Sequence, residues 1–179
     1  ITDADKRRLG KSGKPRGQFG INLNMSYKGF YLSALFQGST KFNMYVAGSL
    51  GMQTGQTYGM PVAYDYQTDF WTPDNRDAQY PRLMANTALN QNNNYASSDF
   101  WLINGAYLRM KDFQFGYDFK YSLLKNVSWL TRCKMGISGQ NIFTISQATK
   151  YGMDPEPSDT NYYGYPVERT IALTLNLGF

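Results

Sequence analysis

The sequence has no histidine and one cysteine among its 179 residues. Without histidine there is no Ser-His-Asp or Cys-His catalytic arrangement and no usual zinc site, and a single thiol cannot close a disulfide within the chain. No side chain looks catalytic, so neither enzymatic activity nor a metal or cofactor is expected. Long apolar runs are missing as well. No stretch of 18 apolar residues occurs, which excludes a transmembrane helix but not a membrane, because barrel strands alternate and average to polar. The net charge of +5 has one dense basic source, "KRRLGKSGKPR" at residues 6–16. That is too little to predict a nucleic-acid partner. Neither an initiator methionine nor a signal peptide precedes Ile1, so the chain reads as a piece of something longer.

What is abundant is aromatic. Tyr (15) and Phe (11) lift aromatics to 16%, yet mean hydropathy is −0.50. Many rings in a hydrophilic chain predict surfaces that are half apolar and half wet. The segment "QFGINLNMSY" places Phe19, Ile21, Leu23, Met25 and Tyr27 on one face, with Gly20, Asn22, Asn24 and Ser26 on the other. After Lys28-Gly29, "FYLSALFQGSTKF" puts Phe30, Leu32, Ala34, Phe36 and Phe42 on one face and Ser33, Gln37, Ser39 and Lys41 on the other. A two-residue turn sets Tyr27 opposite Phe30 with both apolar faces aligned.

A polar stretch rich in Asn, Gly and Tyr follows, and the pattern resumes in "AYLRMKDFQFGYDF" with its phase changed. Leu108 and Met110 share one phase, whereas Phe113, Phe115, Tyr117 and Phe119 share the other. Either a bulge near Lys111-Asp112 absorbs the shift, or the upper part stands above any lipid. "WLTRCKMGISGQNIFTI" alternates again, with Cys133 on its apolar side as inert packing. From Val167 the chain then alternates to an aromatic end, Phe179. The predicted strands are therefore about 17–27, 30–44, 104–119, 129–146 and 164–179, with long loops at about 45–103 and 147–163.

Alternation also describes a soluble sandwich, but soluble strands have a mode near 5–6 residues, and a tilted bilayer-crossing strand needs roughly 9–11. The longer runs here favour an antiparallel transmembrane β-barrel. Ile21, Leu23, Leu32, Phe36, Phe115, Ile137, Leu173 and Leu175 then meet lipid, while Asn22, Ser33, Gln37, Lys134, Thr174 and Asn176 face inward. Tyr27, Phe30, Phe119, Trp129 and Phe179 gather at one set of strand ends, where an interfacial girdle belongs. If the C-terminus lies in the periplasm, both short turns fall inside and both long loops outside, the arrangement outer-membrane barrels have. Five strands cannot close alone, since single-chain barrels start at about eight.

The blocks "SDFWLINGAYLRMKDFQFGY", "KMGISGQNIFT", "YGMDPEP" and "ERTIALTLNLGF" resemble, in order, the C-terminal end of the SusC-like (RagA/SusC) family of TonB-dependent outer-membrane transporters. "FGINLNMSYKGFYLSALFQG" and "FWTPDNRDAQYPR" fit the same pattern further upstream. The resemblance implies a plugged barrel of about 22 strands, of which this chain is the last five. It implies import of glycan oligosaccharides or peptides for nutrient uptake, beneath a SusD-like surface lipoprotein and driven by the TonB complex through upstream residues. It also implies that Leu173, Leu175, Leu177 and Phe179 form a C-terminal signal for the barrel-assembly machinery. A strand-donating subunit of an autotransporter-like secretion or adhesion barrel is the other reading.

Tyr58, Tyr64, Tyr66, Phe70, Trp71, Tyr80, Tyr95, Phe100 and Trp101 populate the long loop. Rings stack on sugars and anchor interfaces, and rings also pack loops against themselves. Tyr64, Tyr66, Phe70, Trp71 and Trp101 are the candidates for ligand or lid contact, with simple packing the stronger reading for the last three. Arg132, Lys134 and Gln140 are lumen-facing candidates, along a transport path or against the plug, with a solvated or plug-paired wall the blander alternative. Asp154 and Glu156 flank Pro155 in a rigid turn rather than a catalytic pair.

Overall fold

The computed structural model describes residues 3–7, 13–45, 68–82, 98–156 and 167–179. The chain divides into two compact units. One comprises Pro15–Lys41, Ala106–Ser146 and Tyr165–Phe179, and the other Ile1–Lys14, Phe42–Gly105 and Gln147–Gly164. Tyr58, Tyr64, Tyr66 and Tyr95 lie outside the described residues.

The first unit is a single antiparallel sheet. Its strands are β1 (Gln18–Tyr27), β2 (Phe30–Ser39), β5 (Tyr107–Asp118), β6 (Arg132–Gln140), β7 (Thr144–Ser146) and β8 (Thr170–Gly178). The spatial order is β1-β2-β5-β6-β8, with β7 continuing alongside β5. Among the described residues, β1 and β8 each have one neighbour and present an open edge. No described helix is long and apolar enough to cross a membrane, which leaves crossing by strands untouched.

Lys28 and Gly29 close the β1–β2 hairpin with positive φ of 46° and 93°. Positive φ at both central residues is the type I′ pattern, whose twist matches the flanking strands. Ten consecutive pairs follow, from Tyr27 opposite Phe30 to Gln18 opposite Ser39. Between β2 and β5, Leu35 pairs with Asp112 and Phe36 with Met110, so Lys111 is the extra residue of a bulge. The phase change is thereby absorbed, and Met110 and Phe113 share a face.

Rows of apolar side chains consequently run across all five strands: Leu23–Ala34–Phe113–Gly139–Ile171, Met25–Leu32–Phe115–Ile137–Leu173 and Tyr27–Phe30–Tyr117–Met135–Leu175. Most of these large side chains are exposed, up to 85% for Leu173, while Leu32, Phe113 and Tyr117 are half-buried. A continuous exposed apolar face this broad fits no ordinary soluble surface. The opposite face carries Asn24–Ser33–Gln114–Ser138–Ala172 and Asn22–Leu35–Asp112–Gln140–Thr170. Leu35 and Ala172 are the apolar residues in these rows.

The third expected strand starts at Tyr107 rather than 104, Asn104 being the end of a separate strand, and three others differ more. The second ends at Ser39 rather than residue 44, and Asn43–Tyr45 forms β3 of the other unit, paired with β4 (Leu102–Asn104). Phe42 therefore leaves the apolar face of the sheet and is buried. The strand expected over 129–146 breaks at Asn141, whose φ of 51° is left-handed, before β7 resumes pairing with β5. Asparagine tolerates that conformation better than most residues. The last strand starts at Thr170, not 164, with 164–166 outside the described residues.

The second unit has its own core of Phe42, Met44, Tyr80, Trp101, Ile103, Ala148 and Met153, with Tyr45, Phe70 and Tyr151 packed against it. Gly105 lies so close to the Phe42 ring that an added Cβ would stand 2.4 Å from it, and its N–H donates to the Phe42 carbonyl at 2.9 Å. The loops fold around a small hydrophobic centre of their own.

Candidate functional site

No described cleft gathers catalytic groups; the features that can carry function are the polar face of the sheet and the rings of the loop unit. On the polar face, β1 and β2 are tied by side chains. Ser33 Oγ donates to Asn24 Oδ1 at 2.8 Å, and Asn24 Nδ2 donates to Asn22 Oδ1 at 3.1 Å. Lower on the same face, Gly116 and Gly136 lie directly opposite each other. An added Cβ on Gly116 would fall 2.4 Å from the Tyr31 hydroxyl, and one on Gly136 only 2.8 Å from it. Missing side chains on two paired strands thus make the floor on which Tyr31 lies, an aromatic covering of strand glycines.

Lys134 Nζ stands 5.4 Å from the centre of that ring and 4.0 Å from an Asp118 carboxylate oxygen. The stack of glycine floor, ring, ammonium and carboxylate is half-solvated, so its ion pair contributes at most about 1 kcal/mol. It fixes where a charge is held. Arg132 and Gln140 are exposed on the same polar face, opposite Gly178 and Thr170. Nearer the other end, Arg109 is only 2% exposed, with its Nε donating to Thr144 Oγ1 at 2.8 Å. Tyr31, Asp118 and Arg109 escaped the sequence reading. The signal that could have found Tyr31 was a glycine in each of two strand interiors.

In the loop unit, Trp101 is 2% exposed and sits in the core. Phe70 is half-buried against the same core. Trp71 remains exposed, and so does Phe100, 59% exposed, whose ring meets Trp101 edge-on at 4.9 Å. Phe100 is the ring that loop composition did not single out.

Trp71 is carried by a closed turn. Trp71 N–H donates to the Tyr80 carbonyl at 2.9 Å, and Tyr80 N–H donates to the Asp69 carbonyl at 3.0 Å. The Asp69 carboxylate accepts from Asn75 Nδ2 at 2.9 Å and from Gln79 N–H at 3.0 Å. The Asn75 side chain first, and the Gln79 backbone second, hold its carboxyl below the usual carboxylate range. A depressed folded pKa adds order above the unfolded pKa, which is lost as pH falls through the folded value. The protection of the Gln79 amide, the slowing of its exchange relative to the intrinsic rate at the same pH, is therefore expected to be higher at neutral pH than in acid, and Asp69→Asn should remove that pH dependence. Burial pushes the Tyr151 hydroxyl up from its ordinary value, in keeping with its place against the core.

The five strands, the exposed apolar face and the polar back face can be set beside known proteins. Over 194 aligned residues, taking in all of this chain, the sequence is 28% identical to "TonB-dependent receptor P3" of Formosa agariphila. The chain resembles a TonB-dependent receptor throughout. It spans 18% of that receptor's length. No family model matches the chain. Its fold is also that of a stretch of the RagAB peptide importer. In the "closed-closed" state the TM-score is 0.68, with 20% identity over 100% of this chain and 19% of the other. The "open-open" state gives 0.68 and 21%, with the same coverages. These relatives are named as a receptor and a peptide importer, and the fold shared with the latter is an all-β, antiparallel barrel wall.

Proposed function

We propose that this chain supplies the last five wall strands and the outer loops of a SusC-like TonB-dependent importer in the bacterial outer membrane. What carries the reading is one sheet whose apolar rows are exposed across every strand while its polar rows line the other face. Lipid satisfies the first, and a water-filled, plugged lumen satisfies the second. The open edges at β1 and β8 then pair with the remainder of a barrel of about 22 strands, removing the aggregation hazard of a long unpaired edge.

In this arrangement β8 runs downward and ends in the periplasm. Lys28-Gly29 and residues 119–131 are periplasmic turns, and 45–103 and 147–163 lie outside. Arg132, Lys134 and Gln140 face the lumen and the plug. Trp71 and Phe100, with Tyr64 and Tyr66 from the undescribed part of the loop, are the rings available to substrate or to a SusD-like lipoprotein lid. The cargo class is a peptide or a glycan oligosaccharide, drawn in by the TonB complex acting on residues upstream. The likeness to a peptide importer favours peptide. The test is growth of cells carrying the full-length gene on peptide mixtures, or on oligosaccharide mixtures, as sole nutrient, with and without TonB. Uptake that needs both the gene and TonB is expected. Uptake indifferent to TonB, or export of a passenger, would overturn the importer reading in favour of a secretion barrel.

A further inference from the structure

Lysine is an odd occupant for Lys28. The first central position of a type I′ turn needs positive φ, and asparagine, aspartate or glycine take it at least cost. Lys28 holds φ at 46°. A residue kept in a sparsely populated conformation points to a use for its side chain rather than for its backbone. The ammonium does not reach for the polar face. Its Nζ stands 5.2 Å from the centre of the Tyr27 ring, and Tyr27 belongs to the exposed apolar row. The amine is thus carried to the lipid-side rim of the sheet.

The neighbouring turn completes the patch. Asp118 N–H donates to the Gly29 carbonyl at 2.8 Å, and an added Cβ on Gly29 would stand 3.0 Å from the Tyr121 Cβ. Residues 119–131 carry Lys120 and Lys125 and no acidic residue. Lys120 Nζ donates to the Val127 carbonyl at 2.6 Å, whereas Lys28 and Lys125 are exposed. Tyr121 and Leu123, in the same turn, are exposed. Ammonium groups next to half-wet rings and a bare leucine match the depth profile of a phospholipid, phosphate above and acyl chain below.

We propose that Lys28, seated on Tyr27 and beside Tyr121, is the headgroup contact of an anionic phospholipid at the tight-turn rim of the barrel. This rests on the outer-membrane barrel reading. The test uses purified full-length protein in nanodiscs of phosphatidylcholine with increasing phosphatidylglycerol, following the thermal midpoint as a measure of lipid binding. The variant is Lys28→Asn, which suits the turn better. In phosphatidylcholine alone Lys28→Asn should melt no lower than wild type. Its apparent affinity for phosphatidylglycerol should be about fivefold weaker, the factor for one lysine at a charged membrane surface. A fall in the phosphatidylcholine midpoint, or an undiminished response to phosphatidylglycerol, would overturn the inference. So would inorganic phosphate reproducing the stabilisation without anionic lipid, since the ligand would then be a free anion. Failure of the wild-type protein to reconstitute would instead sink the barrel reading on which the inference stands.

Discussion

Replacing Leu173 by arginine is expected to cost the full-length barrel about 2–4 kcal/mol and to deplete it from the outer membrane. Leu173 lies mid-strand in β8, opposite Ile137 and in the row Met25–Leu32–Phe115–Ile137. At 85% exposed it is covered by no protein among the described residues. A guanidinium there has nothing to pair with and must drag water into hydrocarbon or snorkel along the strand, and mid-strand is the longest way out. The control is its neighbour. Thr174 lies on the polar face opposite Gly136, where an arginine stays hydrated, so Thr174→Arg should insert nearly as well as wild type. Heat-modifiability on gels and outer-membrane yield read both variants. Equal tolerance of the two, or the reverse order, would mean that the apolar rows do not face lipid.

The contrast between those neighbours was legible because alternation at period two needs only the side-chain order. The bulge at Lys111 was legible for the same reason: a phase change between Met110 and Phe113 has few physical causes. What alternation cannot say is which partner covers a face. Phe42 and Met44 continue the even-numbered phase of Phe30 to Phe36, yet β2 stops at Ser39 and those two rows are buried in the loop unit. The pattern predicted an apolar environment correctly and assigned it to the wrong body. Loop rings fail for a related reason. Phe100 and Trp101 are adjacent, similar in chemistry and opposite in exposure, and only the 3₁₀ turn at Asp99–Trp101 decides which one is tucked in. The Tyr31 stack depends on residues over 80 positions apart in sequence, Tyr31 with Gly116 and Gly136, brought together by pairing that no local pattern contains.

Deleting Phe179 from the full-length protein is expected to lower its accumulation in the outer membrane sharply while leaving the inserted molecules nearly as stable as before. The ring is 79% exposed, and its described aromatic contact is a parallel stack on Trp129, with centroids 5.8 Å apart at an interplanar angle of 6°. Such a pair is worth about 0.5–1.5 kcal/mol, small against a wall that also pairs nine residues of β8 with β6. Thr131 N–H still donates to the Gly178 carbonyl at 2.8 Å, so the strand end stays pinned without the ring. If assembly machinery reads Leu173, Leu175, Leu177 and Phe179 before folding, as we propose, recognition has no such reserve, because it meets a bare strand and each side chain is a large share of what it meets. Trp129→Ala separates the two roles. It removes the same stack and leaves the terminal residue in place, so it should cost a similar fraction of stability and accumulate normally. Pulse-labelled insertion and the melting of the inserted fraction, compared between the two variants, decide the matter. If both variants accumulate alike and melt alike, Phe179 acts through its contact with Trp129 alone and is no assembly signal.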